Sequence, residues 1–195
     1  EVRAVRPVGG FVDPSLEAIL GVKPDLVIGV QGPGLEDFAA RLDARGIATF
    51  FPPTQSLTEI GAMLVGLARL LGDEQRGLAQ RTILENERAA IARALAGRHR
   101  PRALFVFGLR PVVAAGPGSF PDEMLRLAGA DNVVSGEKHR FPTLGIERVL
   151  SLDPEVVIDA TGGVAREGIS ISKDLPGWSE VRAVKEGRLV VVSDD

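Results

Sequence analysis

The sequence predicts an α/β fold in which two Rossmann-like lobes with mostly parallel sheets are joined by one long helix. Two observations carry this prediction: helical and strand-like hydrophobic periods alternate in both halves, and an uninterrupted helical pattern separates the halves. Such alternation is typical of parallel sheets covered by helices. We therefore expect an N-terminal lobe over 1–72, an inter-lobe helix over 73–97 and a C-terminal lobe over 98–195.

The first lobe is predicted from three helical patterns and two short strands. Apolar residues spaced by 3 or 4 indicate helices, whereas short apolar runs bounded by turn residues indicate buried strands. In chain order these are a helix over 14–22, a strand over 25–30, a helix over 35–45, a strand over 47–51 and a helix over 58–71. Pro24 ends the first helix, because proline cannot continue one.

The second lobe begins after the longest helical pattern, which covers residues 73–96. Gly97 suits a helix C-terminus, and Pro101 excludes further helix. Alternation then resumes with a strand over 103–107, the loop "AAGPGSFP", helices over 122–127 and 145–152, and strands over 155–160 and 189–192.

Composition excludes several classes of function. The 195 residues are 45% hydrophobic and 25% charged, with a net charge of −3 and charges of both signs interspersed. This gives no basic footprint for nucleic acid. Cysteine is absent, so disulfides, thiolate metal sites and a thiol nucleophile are excluded. The apolar runs are strand-sized, so no transmembrane span is expected.

A gapless internal repeat connects the two lobes. The segment "LEAILGVKPDLVI" from Leu16 aligns with "IERVLSLDPEVVI" from Ile146, which places Glu17 on Glu147 at an offset of 147 − 17 = 130. A period this long indicates two similar lobes rather than a solenoid. Each lobe therefore contains a helix, a proline and a buried strand in the same order.

The chain resembles class III periplasmic substrate-binding proteins of ABC importers, which handle cobalamin, haem and ferric siderophores. Five segments in the same order carry the resemblance: "GGFVDPSLEAILGVKPDLVI", the long helix, "FVFGLRPVVAAGPGSFPDEMLRLAGADNVV", "FPTLGIERVLSLDPEVVI" and "PGWSEVRAVKEGRLVVVS". It is most similar to the cobalamin-binding members. In that family a strand and a helix precede this region and a helix follows it, so the chain is expected to be trimmed at both ends.

The resemblance implies a function and a location. The chain is expected to be a monomer without enzyme activity that captures cobalamin or a related corrinoid between its lobes and delivers it to the permease subunits of an ABC transporter. It is expected in the periplasm, or on the extracellular face with a lipid anchor. No resident cofactor or metal is expected.

Glu17 and Glu147 are the predicted docking residues. In the family, one glutamate per lobe at these positions pairs with arginines on the two transporter subunits. Widely separated charge pairs fix orientation and steer encounter more than they add affinity. Alternatively, each glutamate complements the dipole of its helix, which is worth about 0.3–1 kcal/mol. The fold alone does not require the pair.

Aromatic residues are the predicted walls of the cargo site. Phe11 and Phe141 each stand six residues before a docking glutamate, where the cobalamin-binding relatives have aromatics that face the corrin ring. Flat aromatic surfaces suit a large planar ligand. Either phenylalanine alone could instead be a hydrophobic staple or a core residue. Phe50 and Phe51 end a strand, so one should face the core and Phe51 is the candidate for the cleft.

Four polar residues complete the predicted ligand site. Gln31 and Arg110 follow strands and could hydrogen-bond ligand amides or a carboxylate, although solvent exposure is the alternative. His139 and Arg140 precede Phe141 in the expected cleft loop. Nothing near His139 in the sequence completes a metal coordination set, but it is the plausible axial ligand if the cargo is haem.

Three rival interpretations stay open. The absence of tyrosine counts against haem, whereas Arg110, Arg140 and Arg166 could meet an anionic ferric siderophore. From a different class, a nucleotide-dependent α/β enzyme could use "GPGS" as a phosphate loop, but this segment lacks the lysine of a P-loop and the full dinucleotide fingerprint. The sole tryptophan, Trp178, is expected to pack in the core.

Overall fold

The protein divides into two compact units, Glu1–Arg81 and Thr82–Asp195, with the boundary inside the long helix. The computed structural model describes residues 5–10, 13–32, 34–164 and 170–192. In this part of the chain no helix is both long and apolar enough to cross a membrane. The predicted α/β class is confirmed, because each unit combines helices with a sheet that contains parallel strands.

The first unit contains three helices and a two-stranded sheet. Its elements are α1 (Leu16–Val22), β1 (Leu26–Ile28), α2 (Leu35–Asp43), β2 (Ala48–Phe50) and α3 (Leu57–Leu70). β1 and β2 pair in parallel, with Leu26 opposite Ala48. All five elements lie where the sequence predicts them, and both strands are shorter than predicted.

The long helix α4 (Glu74–Leu95) matches the predicted helix to within one or two residues at each end. Its first turns pack tightly against α3 at Gly77, which is buried. A Cβ placed on Gly77 would lie 2.7 Å from the Ala68 Cβ and 2.8 Å from the Leu64 carbonyl oxygen. The absence of a side chain at this position therefore allows the two helices to approach each other.

The second unit contains a six-stranded mixed sheet. Its elements are β3 (Arg102–Leu109), β4 (Val112–Ala114), α5 (Phe120–Leu127), β5 (Asp131–Asn132), β6 (Thr143–Leu144), α6 (Ile146–Leu152), β7 (Val156–Asp159), α7 (Thr161–Val164), a 3-10 helix (Trp178–Glu180), α8 (Arg182–Lys185) and β8 (Leu189–Val191). The strand order is β6-β4-β3-β7-β8, and β5 pairs with the start of β3. β3, β7 and β8 are parallel, whereas β4 and β6 are antiparallel.

The core of this unit lies on one face of β3. Leu104 and Val106 are fully buried there with Val149 of α6 and Val157 of β7. Trp178 is 3% exposed and belongs to the same cluster, so its predicted packing role is confirmed. Side chains alternate along a strand, so neighbouring residues of β3 point to the opposite face, where Ala103 packs with α5.

The internal repeat predicted from the sequence is present as repeated local structure. α1 and α6 are each seven residues long, and each ends on a non-glycine residue in the left-handed region, Lys23 (φ 50°) and Asp153 (φ 43°). The backbone N–H of each of these residues donates to the carbonyl of Leu20 or Leu150. A proline and a parallel strand follow in both units. The equivalence therefore extends from sequence to the geometry of the helix ends.

Candidate functional site

The candidate site is an aromatic surface in the second unit. The rings of Phe105 and Phe107 are 4.9 Å apart between centroids, and Phe107 meets Phe141 at 5.7 Å in an edge-to-face arrangement of 72°. Phe141 is 50% exposed, although a residue of this type is usually buried. The three rings therefore form a continuous aromatic surface, in which Phe141 is half-exposed and open to a ligand.

Phe107 is a member of this surface that was not predicted. It sits where the register of β3 against β4 shifts between Val106 and Gly108, which is a β-bulge. Bulges redirect a side chain without ending the strand. The available sequence signal was the i, i+2 pair Phe105 and Phe107 on the strand face opposite Leu104 and Val106.

The loop that follows β4 is held by buried polar side chains. The Asn132 amide donates to the Ala115 carbonyl and the Asp122 carboxylate, both at 2.9 Å. The Ser119 hydroxyl donates to the Gly116 carbonyl at 2.8 Å. Asn132, Asp122 and Ser119 are all buried. Because each buried polar atom is paired within this network, the loop over 115–119 has a single well-defined arrangement.

The same network argues against a phosphate loop. The Gly118 N–H donates to the Asp122 carboxylate at 3.1 Å, and the Asp122 N–H donates to the Ser119 hydroxyl at 3.3 Å. These donors would have to face a phosphate in a nucleotide site. The side chains of Asp122 and Ser119 already accept from these donors, so "GPGS" is a tight turn. The phosphate loop that the nucleotide interpretation requires is therefore not formed here.

His139 and Arg140 lie on the segment that covers this loop. The Gly116 N–H donates to the Arg140 carbonyl at 2.7 Å, and the Ala114 N–H donates to the Pro142 carbonyl at 3.0 Å. Both side chains are exposed, and neither makes a hydrogen bond or ion pair with another described residue. The segment therefore presents an imidazole and a guanidinium immediately before the exposed ring of Phe141.

Arg110 lies in the tight turn between β3 and β4. Leu109 pairs with Val112, so the turn consists of Arg110 and Pro111, joined by a cis peptide bond. The Arg110 side chain is exposed and has no ion-pair partner among the described residues. It belongs to the same sheet as the aromatic surface and stays a predicted ligand residue.

Gln31 and Phe51 are brought together in the first unit. The Gln31 side-chain amide donates to the Phe51 carbonyl at 3.4 Å. The Phe51 ring lies against Gly29, where an added Cβ would be 2.7 Å from the ring. Phe50 instead contacts Gly66 of α3. The two phenylalanines therefore contact different parts of the first unit, and Phe51 stays a predicted ligand residue. Phe11 lies outside the described residues.

Glu17 and Glu147 occupy equivalent exposed positions in the first turns of α1 and α6. The helices begin differently: the Ser15 hydroxyl accepts from the Ala18 N–H at 3.2 Å, whereas the residue before α6 is a glycine. Neither glutamate makes a hydrogen bond or ion pair with another described residue. Both carboxylates are therefore available to an external cation.

A second group of charges lies at the start of β3, away from the aromatic surface. The Glu155 carboxylate accepts from the Arg102 N–H at 2.9 Å, and its Oε2 lies 3.2 Å from His99 Nε2. Arg182 is 3.5 Å from its other oxygen. The backbone donor, then the histidine and the arginine, lower the pKa of Glu155 below its ordinary value. This group joins β3 to β7 and has a structural role.

The described residues contain no group of three His, Asp or Glu side chains placed to hold a metal ion. The aromatic surface and the exposed cations beside it are suited to non-covalent capture of a ligand. The fold and this surface define the class of the molecule, which is an α/β solute-binding protein. The chain belongs to the periplasmic binding protein family, whose model matches residues 1–195. Members of this family are binding proteins rather than enzymes.

Comparisons with individual proteins agree with this assignment. The vitamin B12-binding protein of Salmonella typhimurium is 28% identical over 173 residues, which cover 89% of this chain and 64% of that protein. This chain thus spans less than two thirds of the length of that relative. The resemblance to class III substrate-binding proteins is confirmed.

Solved structures share the fold. The periplasmic haem-binding protein RhuT of Roseiflexus sp. RS-1, in its apo form, has a TM-score of 0.77 and 27% identity, with 96% of this chain and 73% of that chain covered. The periplasmic vitamin B12-binding protein of Vibrio cholerae has a TM-score of 0.74 and 22% identity, with 95% and 71% covered. Proteins with different ligands therefore have this architecture.

Proposed function

We propose that this protein captures cobalamin or a related corrinoid and delivers it to the permease subunits of an ABC transporter. The observation that carries the proposal is the contact between Phe107 and Phe141 on the aromatic surface. A half-exposed phenylalanine ring supported edge-on by a second ring is a preformed flat contact for a macrocycle. Little side-chain freedom is lost when such a surface binds, so most of the contact energy is retained.

The cations beside this surface suit the periphery of a corrinoid. A corrinoid carries amide side chains and, in cobalamin, a phosphodiester. Arg140 has free guanidinium donors next to Phe141, and Arg110 has free donors on the same sheet. Arginine forms paired hydrogen bonds with phosphate oxygens. Gln31 and Phe51 of the first unit, and Phe11, are the remaining proposed ligand contacts.

Glu17 and Glu147 are the proposed docking residues for the permease. Both are exposed, both occupy the first turn of a seven-residue helix, and neither has a partner in the described chain. One carboxylate per unit, presented from equivalent helices, fits a partner with two similar subunits. We place the protein in the periplasm, or on the extracellular face with a lipid anchor, and expect a monomer that keeps residues 73–97 as its connector.

Haem or a ferric siderophore is the second candidate cargo. The exposed imidazole of His139 lies two residues before Phe141 and would be the axial ligand of the iron if the cargo is haem. The 27% identity to a haem-binding protein supports the same alternative. The free guanidinium of Arg140 would meet a carboxylate of either ligand.

Isothermal titration with cyanocobalamin, haemin and ATP distinguishes cobalamin, haem and a nucleotide as the ligand. The proposal predicts saturable binding of cyanocobalamin with one site per chain and no heat from ATP. Saturable binding of haemin alone would replace cobalamin by the second candidate. Binding of ATP with no binding of either tetrapyrrole would contradict the proposed function altogether.

A further inference from the structure

We infer that Gly116 is a positioning residue that seats the segment carrying His139, Arg140 and Phe141. This inference rests on the proposed function only for its effect on ligand binding. A Cβ on Gly116 would lie 2.2 Å from the His139 carbonyl oxygen, 2.7 Å from the Pro142 Cδ and 3.2 Å from the Arg140 carbonyl oxygen. The His139 and Arg140 carbonyls and the Pro142 ring thus all approach one glycine.

Contact, and not backbone conformation, is what requires glycine at this position. Gly116 does not have a positive φ, in contrast to Gly118 two residues later (φ 73°). An alanine could therefore adopt the Gly116 backbone without strain, provided that its methyl group had room. The neighbouring atoms leave none, since real Cβ atoms essentially never come closer than 3.0 Å to another heavy atom.

The covering segment is the side that must yield. The loop over 115–119 is fixed by the buried side chains of Asn132, Asp122 and Ser119, and its Ala115 N–H also donates to the Phe105 carbonyl at 2.9 Å. The covering segment presents the exposed side chains of His139, Arg140 and Phe141. A methyl group on Gly116 would therefore displace the backbone of that segment by about 1 Å, since contact between nonbonded atoms begins at roughly 3.5 Å.

This displacement would move the proposed ligand-binding side chains of the covering segment away from Phe107. The hydrogen bond from the Gly116 N–H to the Arg140 carbonyl, at 2.7 Å, would be lost. The Phe141 ring would move relative to Phe107, which stays on β3. The three atoms nearest an added Gly116 Cβ belong to His139, Arg140 and Pro142, so its effect on a ligand acts through the segment that carries Phe141.

Gly116→Ala tests the inference, and Gly136→Ala is the matched control. Gly136 precedes the same segment, has no positive φ, and an added Cβ there meets nothing within 4 Å. Hydrogen–deuterium exchange of the ligand-free proteins should show faster exchange at 113–116 and 139–144 in Gly116→Ala, and wild-type exchange in Gly136→Ala. Cyanocobalamin should bind Gly116→Ala roughly tenfold more weakly.

The outcomes separate this inference from the proposed function. Unchanged exchange in Gly116→Ala would overturn the positioning role, whatever the ligand. Altered exchange with wild-type affinity would remove the link between Gly116 and the ligand site. Failure of the wild type to bind cyanocobalamin would contradict the proposed function. The exchange result would still decide the positioning role of Gly116. Ser119→Ala is the second variant if Gly116→Ala does not fold. It removes the hydroxyl that donates to the Gly116 carbonyl, so exchange should become faster at 113–116 and 139–144. Unchanged exchange in both segments would overturn the inference.

Discussion

Replacing Phe141 by alanine should weaken corrinoid binding strongly and also lower stability. Phe141 is 50% exposed, and a phenylalanine buries about 150–250 Å² in full, so about 100 Å² is left for a ligand to cover. At about 25 cal/mol per Å² this area is worth at most about 2.5 kcal/mol of binding free energy. One factor of ten in Kd corresponds to about 1.4 kcal/mol, so the upper limit is about 70-fold.

The cost in stability should be of similar size. Phe141→Ala removes one edge-to-face contact with Phe107, which is worth about 0.5–1.5 kcal/mol. The half of the side chain that is already buried is also about 100 Å², which is worth up to about 2.5 kcal/mol at the same coefficient. Urea unfolding should therefore show a decrease of up to about 4 kcal/mol in the free energy of unfolding. Titration calorimetry of the folded variant should show a Kd raised between about 10-fold and 70-fold.

Val190→Ala is the control for this prediction. Val190 is 52% exposed on β8 and has no ring contact, so it matches Phe141 in exposure but not in position. Its substitution should leave Kd unchanged. Equal affinity of wild type and Phe141→Ala for cyanocobalamin would refute the assignment of Phe141 to the ligand surface.

Three further outcomes are expected. The double variant Glu17→Ala with Glu147→Ala should bind cyanocobalamin with wild-type affinity but stimulate the ATPase of the transporter less in proteoliposomes. Loss of cyanocobalamin binding would instead mean that the glutamates face the ligand. Gly77→Ala should lower the free energy of unfolding, measured in urea, by about 1–3 kcal/mol, because its methyl group would overlap α3. Gly21→Ala is the control and should not destabilise the protein, because an added Cβ there meets no atom within 4 Å. Glu155→Gln should destabilise at pH 7 and less at acidic pH, because a carboxyl with a lowered pKa contributes stability above its unfolded pKa and loses it as pH falls through the folded pKa. A pH-independent difference in urea midpoint would contradict the last prediction.

The elements with strong local signals were predictable from the sequence. α1 and α6 end at the same distance before a proline, and the apolar runs that follow form β1 and β7. The long pattern over 73–96 has helix-forming residues throughout, and α4 occupies it almost completely. Periodicity and chain-breaking residues act over a few positions, so no distant partner was needed to recognise them.

The strands β4, β5 and β6 were not predicted, for a physical reason. β5 and β6 are two residues long, and each depends on a partner far along the chain: β5 pairs with β3 (Asp131 with Arg102) and β6 with β4 (Leu144 with Val112). β4 is three residues long and pairs with β3 across a two-residue turn. Two residues contain no usable period. Pairing with distant strands therefore decides β5 and β6. The sheets are mostly parallel, as predicted, and β4 and β6 add the two antiparallel pairs.

The site was partly predictable for a related reason. Phe141, His139 and Arg140 were identified by position in the chain. The i, i+2 spacing of Phe105 and Phe107 does not show that Phe107 meets Phe141, because that contact joins residues distant in the sequence. The contact of Gly116 with the 139–142 backbone also depends on folding, because 23 residues separate Gly116 from His139. Sequence reasoning identified candidate residues, and the structure identified which of them share a surface.

Co-elution of the purified protein with cyanocobalamin is the most direct test of the account. The protein is incubated with excess ligand and separated by size exclusion, and the visible absorbance of the protein peak is recorded for the wild type and for Phe141→Ala. The account predicts a corrinoid spectrum at about one ligand per chain for the wild type and a clearly weaker one for the variant. A protein peak of the wild type without corrinoid absorbance would contradict the central claim.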